Sequence, residues 1–246
     1  MSRPKLLKQY DRRTVCRFLD ILGFKERVFR NSHVAIEKDL RELNEEIIQL
    51  VNSSMENVAD EARVVVVNDA EGGQEQRNIG QEASSPIQLA QFSDSIVLFS
   101  NDVSTTSLNR IASVASKIMN ASLSKGFPLK GALAQGTMTN DPQKQLFFGR
   151  ALIDAYLLEE ELHYYGIAVH HSAEDMVVKN GDKSIFKDNN LFLKSGRIQH
   201  YEVCWYQKND SIKEYLDHIR TTVSGQPRKY IDNTLTLIKE FSIVQA

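Results

Sequence analysis

Apolar and polar positions along the chain switch repeatedly between a two-residue and a three-to-four-residue rhythm. Residues 14–19 (TVCRFL) are a short apolar run closed by Asp20 and Gly23, and predict a buried strand that ends at Asp20. The rhythm then lengthens. Ile36, Leu40, Leu43, Ile47, Val51, Met55 and Val58 recur at helical spacing, while Glu37, Lys38, Arg41, Glu42, Glu45 and Glu46 take the other side. Residues 32–58 therefore predict a long amphipathic helix. Residues 63–68 (RVVVVN) are β-branched and strand-like, and the polar, Gly-rich stretch 69–86 predicts a loop. Two short apolar runs, Ile87–Phe92 and Ser95–Ser100, enclose Ser93 and Asp94, the pattern of a hairpin with Asp94 at its tip.

Ser104 or Thr105 can cap a second helix that turns Leu108, Ile111, Ala115, Ile118 and Met119 inward, ended by Gly126–Pro128. Leu129–Met138 reads as a strand and Thr139–Lys144 as a polar turn. Gly149 opens a third helix with Leu152, Ala155 and Leu162 on one side. Gly166–His170 reads as a strand, 191–206 as one or two more, and 209–241 as a helical tail broken at SGQPR. Neither an internal repeat nor a low-complexity segment is present. Strands, hairpins and helices in this mixed order predict an α+β sheet covered by helices, not a doubly wound parallel sheet.

Composition narrows the function classes. With 246 residues, 41% of them hydrophobic, the chain can bury one sizeable core. The net charge of −2 gives no general attraction to nucleic acid or to an acidic membrane, so neither is expected as a partner. Cys16 and Cys204 lack metal-ligand spacing, and Cys16 lies in an apolar run, where a buried thiol is expected. The polar, basic start and the absence of a membrane-length apolar stretch lead to the expectation of a cytoplasmic protein.

Two aspartates carry the chemistry. FLDILGF at 18–24 and FSDSIVLF at 92–99 each place a carboxylate beside a buried strand, where it is held rigidly near the sheet surface. Hard divalent cations take one or two such carboxylates and complete their shells with substrate phosphates. Two metals roughly 3.5–4 Å apart can activate an attacking oxygen and neutralise a leaving one. Taken alone, each Asp favours the reading of a turn residue; taken together, with apolar neighbours on both sides, the pair favours function.

These segments resemble the class III nucleotide cyclases. Asp20, Ile21, Gly23 and Phe24, followed by the hairpin at Asp94, are similar to that family's two metal-binding segments. KGALAQG (130–136) and FFGRALIDAYLLEEEL (147–162) resemble its next strand and its glycine-opened helix, and the order is most similar to the pyrimidine (uridylate and cytidylate) cyclases of the Pycsar antiphage system. The resemblance covers roughly residues 14–172. It implies a ferredoxin-like catalytic domain over 1–206 with a helical C-terminal extension over 207–246, acting as a homodimer with active sites at the interface. Asp20, Asp94 and the backbone carbonyl of Ile21 would hold two divalent cations, Mn²⁺ or Mg²⁺. The reaction implied is UTP to 3′,5′-cyclic UMP and pyrophosphate, or CTP to cyclic CMP, with the product sensed by a separate effector protein. UTP comes first only because uridylate cyclases are the commoner members.

The chain also departs from the purine cyclases. The positions that read a purine edge fall on Ala90 in the hairpin and on Leu146; the helix Asn and Arg that act on the transition state fall on Ile153 and Leu157. A catalytically silent, nucleotide-binding signalling module is therefore a standing alternative. Lys130 and Arg150 are the candidate triphosphate-binding cations, against a surface lysine and a solvated first-turn arginine. Asp154 and Tyr156 are placed to read a base from the partner subunit, although Tyr156 also suits core or interface packing. His170–His171 read as structural residues on opposite faces of a strand, Phe147–Phe148 as core or interface, and Glu159–Glu161 as a solvated helix face.

Overall fold

The structure, a computed structural model, describes residues 12–61, 87–141, 144, 146–206 and 210–244. The predicted strand at 63–68 and loop at 69–86 lie outside the described residues. The chain runs β1 (Arg12–Ile21), α1 (Phe24–Arg30), α2 (His33–Glu61), β2 (Gln88–Phe92), β3 (Ser95–Phe99), α3 (Thr105–Ser124), β4 (Leu129–Asp141) and β5 (Leu146–Phe148). It continues α4 (Arg150–Glu161), β6 (Ile167–Val169), α5 (His171–Asn180), β7 (Phe186–Leu193), β8 (Gly196–Val203), α6 (Asp210–Arg220) and α7 (Gln226–Val244). The strands form one mixed sheet in the order β2-β3-β1-β4-β6-β8-β7, with β5 on β4. Among the described residues only the β4–β6 pairing is parallel. The expected α+β sheet flanked by helices is what forms.

β1 sits between β3 and β4 and is covered on both faces, which is why its sequence is a continuous apolar run and not an alternation. Cys16 lies opposite Phe99 and Ala134, and Phe18 opposite Val97 and Ala132. These residues face α4, whose Ala151 and Ala155 pack on Cys16, Phe18, Val97, Phe99 and Ala134. Val15, Leu19 and Ile21 face the other way, into a core shared with Leu43, Ile47 and Val51 of α2 and Leu108, Ile111, Ala115 and Ile118 of α3. Burying each such side chain contributes about 1.5–3 kcal/mol. The segment read as a C-terminal extension adds Ile212, Leu216 and Ile231 to this same core.

α3 starts as its sequence requires, with the Ser104 hydroxyl accepting from the Ser107 N–H at 3.1 Å. Other elements differ from expectation. β4 continues through the predicted polar turn, because Thr139, Asn140 and Asp141 pair with Phe148, Phe147 and Leu146. α1 has no buried residue, so it leaves no periodicity to read. α5 buries only Ala173 and Val177, and starts where a strand end was expected. Among the buried polar groups without a hydrogen-bond partner, Arg17 carries the largest. The Arg17 guanidinium is fully buried and its three nitrogens have no hydrogen-bond partner; desolvation holds its pKa well below the usual arginine value. Nothing in the structure explains it.

Candidate active site

Asp20 is the penultimate residue of β1, paired across the sheet with Ser95 of β3 and Lys130 of β4. It shares the α4-facing side of β1 with Phe18 and Cys16. Beyond it the chain turns at Gly23, whose φ of 72° is left-handed, the region glycine enters without strain. Asp94 comes to the same end of the sheet. The strands β2 and β3 are joined by Ser93 and Asp94 alone, and Ser93 holds a φ of 54°. That is the sign required at the first central position of a II′ hairpin turn, a place more often given to glycine. The Ile21 N–H donates to the Asp94 carbonyl at 3.0 Å, which ties the two aspartate-bearing segments together. Backbone N–H and C=O of one strand residue point to the same side, so the Ile21 carbonyl is directed at the Asp94 turn as well.

The electrostatics of this corner are negative. Burial pushes the Asp20 carboxyl up to about 7, and the nearby Glu159 and Asp94 carboxylates add to the rise while Lys130 opposes it. Lys130 is nearly buried and committed: its Nζ lies 2.9 Å from Glu159 Oε1 and donates to the Glu159 carbonyl at 3.0 Å. Two expectations are thereby corrected. Lys130 is not a surface lysine, because its strand is roofed by α4. Glu159 is not on a solvated face, because it occupies the inward stripe of α4 at 1% exposure. The signal was present in the spacing Ala155, Glu159, Leu162, which puts a glutamate in register with buried apolar neighbours.

Asp20, Asp94 and the Ile21 carbonyl make an all-oxygen donor set, the chemistry that Mg²⁺ and Mn²⁺ favour. A carboxylate pushed up by its own neighbours is also one that a cation would relieve. Among the described residues no group of three or more His, Cys, Asp or Glu side chains is arranged to hold a metal.

The other predicted residues lie elsewhere in the chain. Gly149 opens α4 where a Cβ would meet the Thr137 carbonyl oxygen at 2.4 Å, so only glycine fits. Arg150, 74% exposed, reaches back to Asp154 with Nε 3.4 Å from Oδ2. Both sit near the N-terminal end of α4, nine residues and about 13 Å along the helix from Glu159 at Arg150. One chain does not bring them to Asp20. Tyr156 is 44% exposed and stands edge-on to Phe18, with ring centroids 5.4 Å apart, so it is not core. Ile153 and Leu157 are 56% and 57% exposed on the same helix. Phe147 packs on Phe99, whereas Phe148 is exposed. The histidines are corrected: β6 ends at Val169, His170 caps α5 by accepting from the Ser172 N–H, and the His170 and His171 rings lie 4.0 Å apart instead of on opposite faces.

No protein-family model matches the sequence, and no curated protein matches it. Solved structures do. The guanylate cyclase domain of RhGC from Catenaria anguillulae in complex with GTP is 14% identical with a TM-score of 0.50, the match covering 79% of this chain and 97% of that one. The catalytic core of a rhodopsin-guanylyl cyclase with converted specificity, in complex with ATPαS, gives 13% and 0.50 over 79% and 96%. The monomeric guanylyl cyclase domain of the RhoGC fusion protein from the aquatic fungus Blastocladiella emersonii gives 14% and 0.50 over 78% and 95%. Among the described residues no helix is long and apolar enough to cross a membrane. The chain has the mixed, helix-flanked sheet of a class III nucleotide cyclase catalytic domain.

Proposed function

We infer that the protein is a metal-dependent nucleotide cyclase that closes a pyrimidine nucleoside triphosphate, UTP ahead of CTP, to its 3′,5′-cyclic monophosphate. The observation that carries the reading is the meeting of Asp20 and Asp94 at one sheet end, joined through Ile21 and short of positive charge. Two divalent cations bound there would supply Lewis acidity for the ribose 3′-hydroxyl and charge neutralisation for the phosphates. The chain's own part is placement. Asp20 and Asp94 fix the anionic end of the site from two hydrogen-bonded strands, and Lys130–Glu159 holds α4 against the strand that faces Asp20. The 3′-oxygen bonds to the α-phosphorus, the bond from that phosphorus to the bridging oxygen breaks, pyrophosphate leaves with the electron pair, and the hydroxyl proton is released. Catalysis of this kind rests on positioning and electrostatics.

The exposed α4 ridge of Ile153, Tyr156 and Leu157 supports assembly as a homodimer, with Arg150 and Asp154 acting on the partner's substrate. On the Pycsar resemblance the product is a second messenger of antiphage defence, read by a separate effector. One observation favours a second reading, a nucleotide-binding module without turnover: Ile153 and Leu157 stand where cyclases carry their transition-state Asn and Arg. The two separate on incubating the protein with ATP, GTP, CTP and UTP singly, with Mn²⁺ or Mg²⁺, and weighing the products. A cyclic pyrimidine monophosphate supports the first reading. A purine product or none, with nucleotide binding intact, rejects it.

A further inference from the structure

α4 ends at Glu161 and β6 begins at Ile167. The connection between them follows directly from Glu159, the buried carboxylate that pairs with Lys130 beside Asp20. Backbone groups in such a connection have no ladder of their own and must find partners elsewhere. Two of those partners are side chains of α7. The Asn233 side-chain amide donates to the His163 carbonyl at 2.7 Å, and the Tyr165 N–H donates to the Thr234 hydroxyl at 2.9 Å. Thr234 is itself 2% exposed, and its hydroxyl donates onward to the Tyr230 carbonyl at 2.8 Å. The Tyr230 ring meets the same two residues, edge-on to His163 with centroids 5.2 Å apart and stacked on Tyr165 at 6.0 Å.

The β7–β8 hairpin grips this connection as well. The His163 N–H donates to the Phe192 carbonyl at 2.8 Å, and the Lys194 N–H donates to the Glu161 carbonyl at 2.7 Å. The second bond satisfies one of the carbonyls that a helix C-terminus leaves without an internal partner. Leu158, Leu162 and Tyr164 share a small apolar core with Leu191 and Leu193 of the hairpin and Leu237 of α7. α7 also approaches the acidic corner. Burial raises the Tyr230 hydroxyl, and the charges of Glu159, Glu160 and Asp20 add to the rise while Lys194 opposes it.

We propose that α7 is a working part of the metal–nucleotide site, with Thr234 and Asn233 as positioning residues that fix the α4–β6 connection and, through it, the Lys130–Glu159 pair facing Asp20. The inference rests on the cyclase reading above. It places a determinant of that site in the C-terminal segment, outside residues 14–172, where every motif of the resemblance lies. Losing either bond frees the last turn of α4, and the charged pair beside Asp20 moves with it. Supports of this kind change ligand affinity by about 10–100-fold without touching the ligand.

The test is a calorimetric titration of the full chain with 3′-deoxy-UTP at fixed Mn²⁺; this nucleotide lacks the attacking hydroxyl, so binding is read without turnover. Thr234→Val nearly keeps the shape of the side chain and removes its oxygen, and is expected to weaken binding about tenfold. Thr234→Ser keeps the oxygen and is expected to hold affinity within about twofold. Ile231→Ala, on the part of α7 that enters the main core, destabilises the helix without touching the connection and is expected to bind as the wild type does. Wild-type affinity in a folded Thr234→Val protein overturns the proposal, as does an equal loss in Thr234→Ser or Ile231→Ala. Should Thr234→Val not fold, Asn233→Ala carries the same comparison at a half-buried residue: a tenfold loss supports the proposal and wild-type affinity overturns it. A wild type that does not bind the nucleotide with Mn²⁺ is seen before any variant is made, and it sinks the cyclase reading and this inference with it.

Discussion

The two faces of the central sheet are finished differently. On one, α2, α3 and the C-terminal helices close over Val15, Leu19 and Ile21, and side chains such as Leu43, Ile47 and Ile111 are wholly buried. On the other, α4 buries Ala151, Ala155 and Leu158 but leaves Ile153, Tyr156 and Leu157 about half exposed, with Asp20, Lys130 and Glu159 gathered at its far end. The first face is a core in the ordinary sense, where apolar burial supplies stability. The second gives up apolar contact for a polar corner and an open ridge, the arrangement that the proposed site and dimer would use.

Substitutions should divide along that line. The largest effect is expected at the polar corner: Asp20→Ala or Asp94→Ala should lower turnover by more than about a hundredfold, the upper range for residues that only support a metal ligand, with the circular dichroism spectrum retained. Loss of fold with activity would instead make these aspartates turn-forming residues. On the covered face, Leu43→Ala or Ile47→Ala should cost about 2–5 kcal/mol in denaturant unfolding. Leu157→Ser on the open ridge should change monomer stability by less than about 0.5 kcal/mol while weakening self-association in sedimentation. Equal destabilisation at both places would erase the distinction between the faces. A smaller gain is expected from Arg17→Met, about 1–4 kcal/mol of added stability, because an unpartnered buried charge gives way to an apolar side chain of similar length.

The smallest effect is a pH dependence. Asp20 in the folded, metal-free protein titrates near 7, above its ordinary 3.8. The stability it contributes is therefore fully present below pH 3.8 and is lost as pH rises through 7. Asp20→Asn should flatten this stretch of the melting-temperature profile. For the wild type, Mn²⁺ should stabilise the fold at pH 8 and progressively less below pH 7, as protons compete for the carboxylate. A profile unaltered by Asp20→Asn would mean that the carboxylate ionises at its ordinary value and is already charged in the folded state over this range.

The covered face was the legible one. The helical spacing from Ile36 to Val51 and the run at 14–19 gave α2 and β1, because apolar periodicity records burial directly. Asp20 and Asp94 were legible as strand-end carboxylates, since burial of their neighbours marks them out. What was not legible depended on contacts between distant segments. Glu159 looked like one of three surface glutamates until Lys130 was placed beneath it. α1 and α5 bury too little to leave a pattern, and the pairing of Thr139–Asp141 with Leu146–Phe148 overrode a locally polar stretch. The reach of Arg150 to Asp154 is local to one helix, and nothing in its spacing ties it to Asp20.

The central claim is that Asp20 and Asp94 form one metal-dependent nucleotide site. Calorimetric titration of UTP into the wild type and Asp94→Ala, each with and without Mn²⁺, tests it most directly. Binding that requires Mn²⁺ in the wild type and vanishes in Asp94→Ala is the expected result. Binding of equal strength in Asp94→Ala, or binding indifferent to the metal, would contradict the account.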